Sequence, residues 1–496
     1  MDKVDKVDAL YDPQHSSLLF TAALMLLVFG LCAARYASSD TWWHLATGRW
    51  IIAHHAVPHA DPFSFTVAGK RWIAHEYAAD AAMYLIHRAG GFASLLIINT
   101  LLLALAFWFV YRRGHAPYVA SGLALLLGVW AARVGFALRP QSISFLLGAA
   151  YLWILDRYKS RQDWRLLAAL PFLMLLWVQL HGGYILGLAL IGLTTLAEAL
   201  DWAVGRGGLR PQQWLAPLVA MATCVAVVPL NPNGFALYRF PVDLLRMKAN
   251  EQILEWQPAP FSDSHYWPFL ALAILPLLAM MFSAQRYRPG QFLMFVIFLS
   301  GALKSRRNIP VFVLIAVPLL AEHLRIPNWS IVLAVSKNRS FAPLRMTILA
   351  IALVAAAVSC VSQTKLAIQA QNSAELRAFP SAGVQYLKAH EFRGNLINAY
   401  GFGGYLIWNL PERRVFIDGR ADLYGDEFLK EYTSVYLGHA GPDPLFEHYH
   451  VGTAMLEPGS GLAGVLTIKT GNGSWKKVFQ DDKAVIFVLA GKFAAD

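Results

Sequence analysis

The sequence has little charge. Asp, Glu, Lys and Arg make up only 15% of its 496 residues, whereas an ordinary soluble domain has about 25%. Hydrophobic residues make up 57%, and the mean hydropathy is +0.44. This composition excludes a disordered chain, a collagen-like chain and an average soluble enzyme. It indicates a protein that crosses a membrane several times.

Cysteine is also scarce. The three cysteines, Cys32, Cys224 and Cys360, all lie inside apolar runs. A disulfide framework or a zinc site would need more cysteines, or cysteines at ligand spacing. We therefore expect these three to be small packing residues.

Acidic residues are fewer than basic ones, 31 against 42, which gives a net charge of +11. No module of interleaved aromatic and basic residues indicates nucleic-acid binding. Most of the excess instead falls in short loops between apolar runs, as the positive-inside rule expects of cytoplasmic loops. These residues are Arg112, Arg113, Arg157, Lys159, Arg161, Arg165, Arg206, Arg210, Arg286, Arg288, Arg325, Lys337, Arg339 and Arg345. Their positions predict a cytoplasmic N-terminus.

Apolar runs near the length of about 20 residues that a spanning helix needs predict about eleven spans. They are residues 17–34, 94–111, 118–134, 141–155, 166–179, 184–202, 214–230, 266–282, 290–303, 310–322 and 347–362. An odd number of spans places the C-terminus outside. We therefore expect a transmembrane domain over 1–362 and a soluble extracytoplasmic domain over 363–496.

The first outer loop, residues 35–93, carries polar residues in helical spacing. Ser39 or Asp40 can cap a helix that continues to about His54. An extended, turn-rich segment then leads to a second helix over about 75–88. The tryptophans of the first helix predict that it lies along the membrane interface.

Asp40, His44 and Glu76 are the candidate catalytic residues of this loop. Asp40 and His44 are four residues apart and share one helical face. A carboxylate can take the proton of an attacking hydroxyl or amide, and Asp40 can also bind a metal ion. The alternative is that Asp40 is only a helix cap and that the histidine is an interfacial anchor. Asp61, which precedes a proline, is expected to be a turn residue.

Four polar residues near the ends of later spans can bind phosphate: Arg139, His181, Arg306 and Arg307. In the predicted topology they lie on the same side of the membrane as Asp40. The planar guanidinium group of arginine matches phosphate oxygens in a bidentate manner. The alternative is that these side chains only reach towards the membrane interface.

The remaining candidates lie in the second outer loop (231–265) and in the C-terminal domain. Glu255 and Trp256 can belong to a lid, or to an ordinary interfacial loop. Beyond residue 362, predicted strands alternate with predicted helices, which indicates a small α/β domain. Its predicted strands are 394–400, 414–417, 451–456, 475–480 and 484–489, and its predicted helices are 381–390, 426–436 and 442–449. Tyr400 ends the first of these strands, and Asp418 and Arg420 follow the second. The alternative for Asp418 and Arg420 is a mutual ion pair at the surface.

The predicted architecture resembles the GT-C fold of membrane glycosyltransferases. It has a single span, an acidic residue shortly after it, a long outer loop with two helices, and many further spans. The segment Tyr400–Tyr405 followed by Arg414–Arg420 is similar to the outer domain of oligosaccharyltransferase catalytic subunits, without that family's acidic and tryptophan motif. The resemblance implies a polyprenyl-phosphate sugar donor, Asp40 as base or metal ligand, and a later outer loop that closes over the donor. It leaves open whether a divalent cation, Mg or Mn, takes part.

The sequence therefore predicts a membrane glycosyltransferase of the bacterial inner membrane, with a periplasmic C-terminal domain. Its partners would be the lipid bilayer, a polyprenyl-phosphate sugar donor and a glycan, lipid or protein acceptor. One alternative is an enzyme like the O-antigen ligases or polymerases, which would rely on Arg and His instead of an acid. Another is a polytopic transporter, although few ionisable residues lie inside the spans.

Overall fold

The computed structural model describes residues 13–34, 38–114, 116–283, 285–324, 342–392 and 394–490. Long apolar helices dominate it up to residue 378. They are α1 (Pro13–Cys32), α2 (Asp40–His54), α3 (Tyr77–Arg113), α4 (Tyr118–Ala132), α5 (Gln141–Arg161), α6 (Ala169–Leu180), α7 (Tyr184–Ala203), α8 (Leu215–Val227), α9 (Ala236–Arg246), α10 (Trp267–Phe282), α11 (Pro289–Lys304), α12 (Ile309–His323) and α13 (Ala342–Ala378). Short 3-10 turns extend several of them.

Every predicted span coincides with a helix of this set. Six helical segments in the described part of the chain are long and apolar enough to cross a membrane, judged by length and composition. Their many exposed leucine, isoleucine and valine side chains are the surface that lipid would cover. The basic residues Arg325, Lys337 and Arg339, which contributed to the predicted orientation, lie outside the described residues.

Two long helices each include segments that were predicted to be separate. Helix α3 contains both the predicted loop helix and the second span, with a kink at Gly90 and Gly91 where the backbone leaves helical geometry. Helix α13 continues well past its apolar part, so the predicted division at residue 362 falls inside it.

The first outer loop packs into the protein. Helix α2 has the predicted bounds, but the prediction that its tryptophans lie at the membrane interface is wrong for Trp42. The Trp42 indole is buried, with edge-on ring contacts to Phe92, Phe379 and Tyr405 at centroid distances of 5.0, 5.5 and 5.0 Å. Burial of a large apolar side chain contributes about 1.5–3 kcal/mol. Helix α2 is therefore anchored between the membrane part and the C-terminal domain.

The C-terminal domain is a four-stranded sheet with helices. Its elements are α14 (Ser381–Ala389), β1 (Asn395–Asn398), α15 (Gly403–Asn409), α16 (Ala421–Tyr424), α17 (Asp426–Tyr436), α18 (Asp443–His448), β2 (Val451–Leu456), α19 (Gly461–Gly471), β3 (Trp475–Gln480) and β4 (Val485–Leu489). The strand order is β1-β2-β4-β3, with β1 parallel to β2 and the other pairs antiparallel. The predicted α/β domain is confirmed.

The predicted strand 414–417 is not part of this sheet. It instead pairs with the first outer loop, where the Val415 amide donates to the Phe63 carbonyl (3.0 Å) and the Phe65 amide donates to the Val415 carbonyl (3.2 Å). Trp72, from the same loop, is buried in one hydrophobic core with Phe416 and Ile417. The first outer loop and the C-terminal domain therefore share a core, and a site can form where both meet the membrane helices.

Candidate functional site

A cavity of about 860 Å³ lies between the first outer loop, the ends of the membrane helices and the C-terminal domain. Among the predicted site residues, all except Arg306 and Asp418 line it. They are Asp40, His44, Glu76, Arg139, His181, Glu255, Trp256, Arg307, Tyr400 and Arg420. The volume lies within the range of about 300–1,000 Å³ that is typical of ligand sites.

Asp40 is the first residue of helix α2 and takes part in an ion-pair chain. Its carboxylate oxygen Oδ2 accepts a hydrogen bond from Arg139 Nη1 at 2.6 Å, and Arg139 Nη2 donates to Glu255 Oε1. Ser39 occupies the capping position, but its side chain makes no capping hydrogen bond. The arginine thus holds Asp40 at the cavity wall and links it to the second outer loop.

Glu76 lies among three histidines. Its Oε1 atom is 3.3 Å from both His75 Nε2 and His181 Nε2, and its Oε2 atom is 3.7 Å from His44 Nε2. The other ring nitrogen of His44, Nδ1, is 2.6 Å from Asp80 Oδ1. This histidine–carboxylate cluster, residues 44, 75, 76, 80 and 181, joins α2 to the start of α3 and to the loop before α7.

The protonation states of two of these histidines follow from their surroundings. Burial lowers the pKa of His75, but the adjacent Glu76 carboxylate outweighs it and raises this pKa to about 9. The His75 Nδ1 atom faces the Ile73 carbonyl at 3.1 Å, so both ring nitrogens meet acceptors. His75 is therefore an imidazolium at neutral pH. The pKa of Glu76 is shifted down: burial alone would raise it, but the histidines dominate.

The pKa of His181 is shifted in the opposite direction from that of His75. Burial lowers its pKa to about 4, so the ring is neutral. Its Nδ1 atom accepts the Gly183 amide hydrogen at 2.9 Å and lies 2.6 Å from Ser144 Oγ. The ring proton must then be on Nε2, which points at Glu76. His181 can donate this hydrogen bond without adding positive charge.

His44, Glu76 and Asp80 can also hold a metal ion. Each offers one ligand atom, and the three atoms lie within 4.8 Å of one another. One imidazole nitrogen and two carboxylate oxygens suit a divalent cation such as Mn or Zn. Asp40, which the sequence suggested as the possible metal ligand, is paired with Arg139 instead.

The two adjacent arginines before α12 have different surroundings. Arg306 is bound to the second outer loop, with Nη1 3.1 Å from Tyr266 Oη and its amide donating to the Gln257 carbonyl at 3.0 Å. Arg307 lines the cavity and lies over the ring of Trp256, with Cζ 4.4 Å from the ring centroid. Burial lowers the pKa of Arg307 from its usual value. The cavity therefore receives Arg307 and not Arg306.

Asp418 and Arg420 form a buried ion cluster, so the surface ion pair considered from sequence is wrong in its location. Arg420 donates to Asp418 through Nε (2.8 Å) and Nη2 (2.6 Å), and to Asp61 through Nη1 (2.8 Å). All three residues are buried. Asp61 is a turn residue as expected, because it also accepts from the Phe63 and Ser64 amides. The cluster ties the first outer loop to the C-terminal domain, and Arg420 also lines the cavity.

Sequence reasoning missed three site residues. They are His75, Asp80 and Asp422, none of which is among the predicted site residues. Asp422 lines the cavity, and burial raises the pKa of its carboxyl group. The i, i+4 pairs Asp40–His44 and Glu76–Asp80 were the usable signal, since polar pairs on otherwise apolar helices are costly unless they meet partners.

Known structures share this architecture. The Archaeoglobus fulgidus oligosaccharyltransferase, solved with a tethered acceptor peptide, matches with a TM-score of 0.54 and 12% identity over 90% of this chain and 69% of that chain. The arabinofuranosyltransferase AftD from Mycobacteria matches with a TM-score of 0.53 and 13% identity over 96% of this chain and 40% of that chain. ArnT from Cupriavidus metallidurans, bound to undecaprenyl phosphate, has a TM-score of 0.48 and 15% identity over 97% and 98% of the two chains.

The first two of these neighbours are GT-C fold glycosyltransferases, so the chain has the GT-C fold: a helical polytopic membrane domain followed by a C-terminal domain. The predicted fold class is confirmed. No protein-family model matches the sequence, and no curated protein sequence matches it. At these identities the likeness establishes the fold alone.

Proposed function

We propose that this protein is a membrane glycosyltransferase that moves a sugar from a polyprenyl-phosphate-linked donor to an acceptor. One observation carries the proposal: within a GT-C fold, a single cavity brings the Asp40 carboxylate together with Arg139 and Arg307. One oligosaccharyltransferase neighbour was solved with dolichol-phosphate and an inhibitory peptide, which supports a lipid-phosphate carrier. Membrane helices and GT-C neighbours support a membrane location. We place the cavity and the C-terminal domain in the periplasm, with the N-terminus in the cytoplasm.

The proposed roles follow from charge and position. The acceptor hydroxyl or amide attacks the sugar carbon and Asp40 takes its proton, while the bond to the donor phosphate breaks. Arg139 and Arg307 bind the phosphate on which negative charge accumulates. His181 joins them as a neutral donor only when its Nε2 hydrogen turns from Glu76 to the phosphate. Glu76 keeps His75 and His181 in place. Tyr400 and Trp256, which also line the cavity, contact the acceptor, and the ion pair of Asp418 with Arg420 supports the cavity wall.

A divalent cation fits the same scheme. His44, Glu76 and Asp80 would hold it through one nitrogen and two oxygen atoms. Such a cation would supply positive charge that neutralises phosphate. Glu76 Oε2 lies 3.7 Å from His44 Nε2, while Oε1 contacts His75 and His181.

The variant Asp40→Asn tests this function. We expect transfer from a polyprenyl-phosphate sugar to fall by about 10²- to 10⁴-fold, because the amide cannot accept the proton. The measurement is sugar transfer by purified protein in lipid vesicles. Asp243→Asn is the matched control, since Asp243 forms an exposed pair with Arg239 away from the cavity. An Asp40→Asn protein that is folded and fully active would refute the proposed base.

A ligase or polymerase that uses Arg and His is the second candidate. The observation that favours it is the number of nitrogen donors in the cavity: Arg139, Arg307, His75 and His181 all line it. If this candidate is right, Arg307→Ala abolishes transfer of a whole glycan while Asp40→Asn retains it. If the sugar transferase is right, both variants lose activity.

A further inference from the structure

The carboxylate of Glu255 accepts a hydrogen bond from Arg139, the arginine that would bind the donor phosphate. Arg139 uses Nη1 for Asp40 and Nη2 for Glu255, while its Nε atom is buried with no partner among the described residues. Both terminal nitrogens of this guanidinium are therefore taken by protein carboxylates. Arg139 keeps free N–H groups, but the Nε–Nη2 edge that could hold two phosphate oxygens is open only if Glu255 leaves Nη2.

Exposure indicates which carboxylate can leave. The Glu255 side chain is 42% exposed, whereas those of Asp40 and Arg139 are 22% and 14% exposed. Glu255 reaches the cavity from the segment 247–257, here called the strap, which runs between α9 and α10. Asp40 is part of a regular helix packed on both sides. Rotation of the Glu255 side chain towards solvent disturbs the fold less than displacement of Asp40.

The strap does not depend on the Glu255 side chain for its position. At its start the amides of Lys248 and Ala249 donate to Asp426, at 3.1 and 2.8 Å. At its end the Glu255 carbonyl accepts from Ser305 Oγ at 2.9 Å, and the Gln257 carbonyl accepts from the Arg306 amide at 3.0 Å. All these contacts use strap backbone atoms, so a change of the Glu255 carboxylate leaves them intact.

Charge leads to the same conclusion. Asp40 and Glu255 balance Arg139 and Arg307, so this part of the cavity is neutral. A phosphate anion that entered with Glu255 still in place would add uncompensated negative charge to this part of the cavity, which is costly. With Glu255 turned outwards, Arg139 Nη2 and Nε become two adjacent donors, the arrangement that binds two phosphate oxygens.

We propose that the Glu255 carboxylate occupies the position of the donor phosphate. It holds Arg139 in place in the empty site and is displaced when a phosphorylated lipid binds. This inference rests on the proposed function, because it assumes that Arg139 binds the donor. It assigns Glu255 to the control of phosphate affinity, and the chemistry that it selects is a phosphate group with at least two free oxygens.

The test compares Glu255→Gln with the wild type in binding of geranyl phosphate and of inorganic phosphate, measured by calorimetry on the full chain in detergent. We expect the variant to bind both ligands about 3- to 10-fold more tightly, because the neutral amide competes less well for the guanidinium. Glu251→Gln is the control: it lies on the same strap, exposed, and should leave both affinities unchanged.

Three results would overturn the proposal. Unchanged or weaker binding by Glu255→Gln would show that Glu255 does not compete with phosphate, while binding by the wild type would leave the proposed function standing. A gain with geranyl phosphate alone would place the effect of Glu255 on the prenyl chain. Absence of binding by wild type and variant alike would refute the phosphate site, and with it both proposals.

Discussion

At the scale of single residues, the site depends on charges placed in pairs. His75 and Glu76 are neighbours in sequence, and their side chains form an ion pair at 3.3 Å in a largely buried place. The pKa of His75 is raised to about 9 in the folded protein, against about 6.5 for an unperturbed histidine. Its contribution to stability is therefore fully present below pH 6.5 and is lost as the pH rises through 9.

This linkage predicts a pH-dependent effect of His75→Gln. The midpoint of thermal unfolding should be lower than that of the wild type by several degrees at pH 6, and the difference should shrink towards zero by pH 10. Unfolding followed by fluorescence at several pH values measures it. The exposed His265 provides the control variant His265→Gln. A difference between wild type and His75→Gln that stays constant from pH 6 to pH 10 would contradict the assigned imidazolium.

Some positions and contacts of the site residues could be predicted from the sequence, and others could not. Asp40 and His44 could be predicted as neighbours because their spacing places them on one face of α2, and Glu76 directly precedes α3. The partnership of Asp40 with Arg139 was not predictable, since 99 residues separate them and only the packing of the bundle brings them together. The burial of Arg420 was missed for the same reason, because its partner Asp61 is far away in sequence.

At the scale of elements, helix α2 positions Asp40 at the large cavity, and residues of the C-terminal domain form another part of the cavity wall. Gly419 approaches the start of α2 so closely that a Cβ atom there would overlap the Asp40 carboxylate. The glycine of the Asp418–Gly–Arg420 turn is thus required by close approach, while its two neighbours tie that turn to the first outer loop.

Gly419→Ala should therefore displace Asp40 from Arg139. Because a shift of about 1 Å can cost up to about 100-fold in rate, we expect transfer activity to fall about 10- to 100-fold. Gly401→Ala is the control, since a Cβ atom at position 401 meets no atom within 4 Å. Both variants are assayed for sugar transfer in vesicles. Equal activity of the two would mean that the fit of α2 against the turn does not position Asp40.

The elements that sequence predicted best are those specified locally. Each apolar run that was predicted as a span is helical, and six helical segments of the described residues are long and apolar enough to cross a membrane. Segment 414–417 has the composition of a strand, but it pairs with residues 63–65 instead of the sheet. Helix Gly461–Gly471 was not predicted.

At the scale of the whole molecule, two polar clusters lie at opposite ends of the same helices. Helix α5 begins beside the large cavity, where Gln141 lines the wall, and ends beside a smaller cavity of about 170 Å³. The smaller cluster consists of close pairs, such as Arg113 with Asp156 at 2.6 Å and Lys159 with Glu198 at 2.5 Å. Paired charges of this kind join helix ends, whereas the large cavity has the volume for a ligand.

The most direct measurement of the central claim is a cryo-EM structure of the protein with undecaprenyl phosphate. The account predicts density for the phosphate in the large cavity, within hydrogen-bonding distance of both Arg139 and Arg307. Asp40 should remain beside it, and the Glu255 side chain should have turned outwards. A phosphate bound instead at the cluster of Arg113 and Arg288, on the other end of the bundle, would contradict the account.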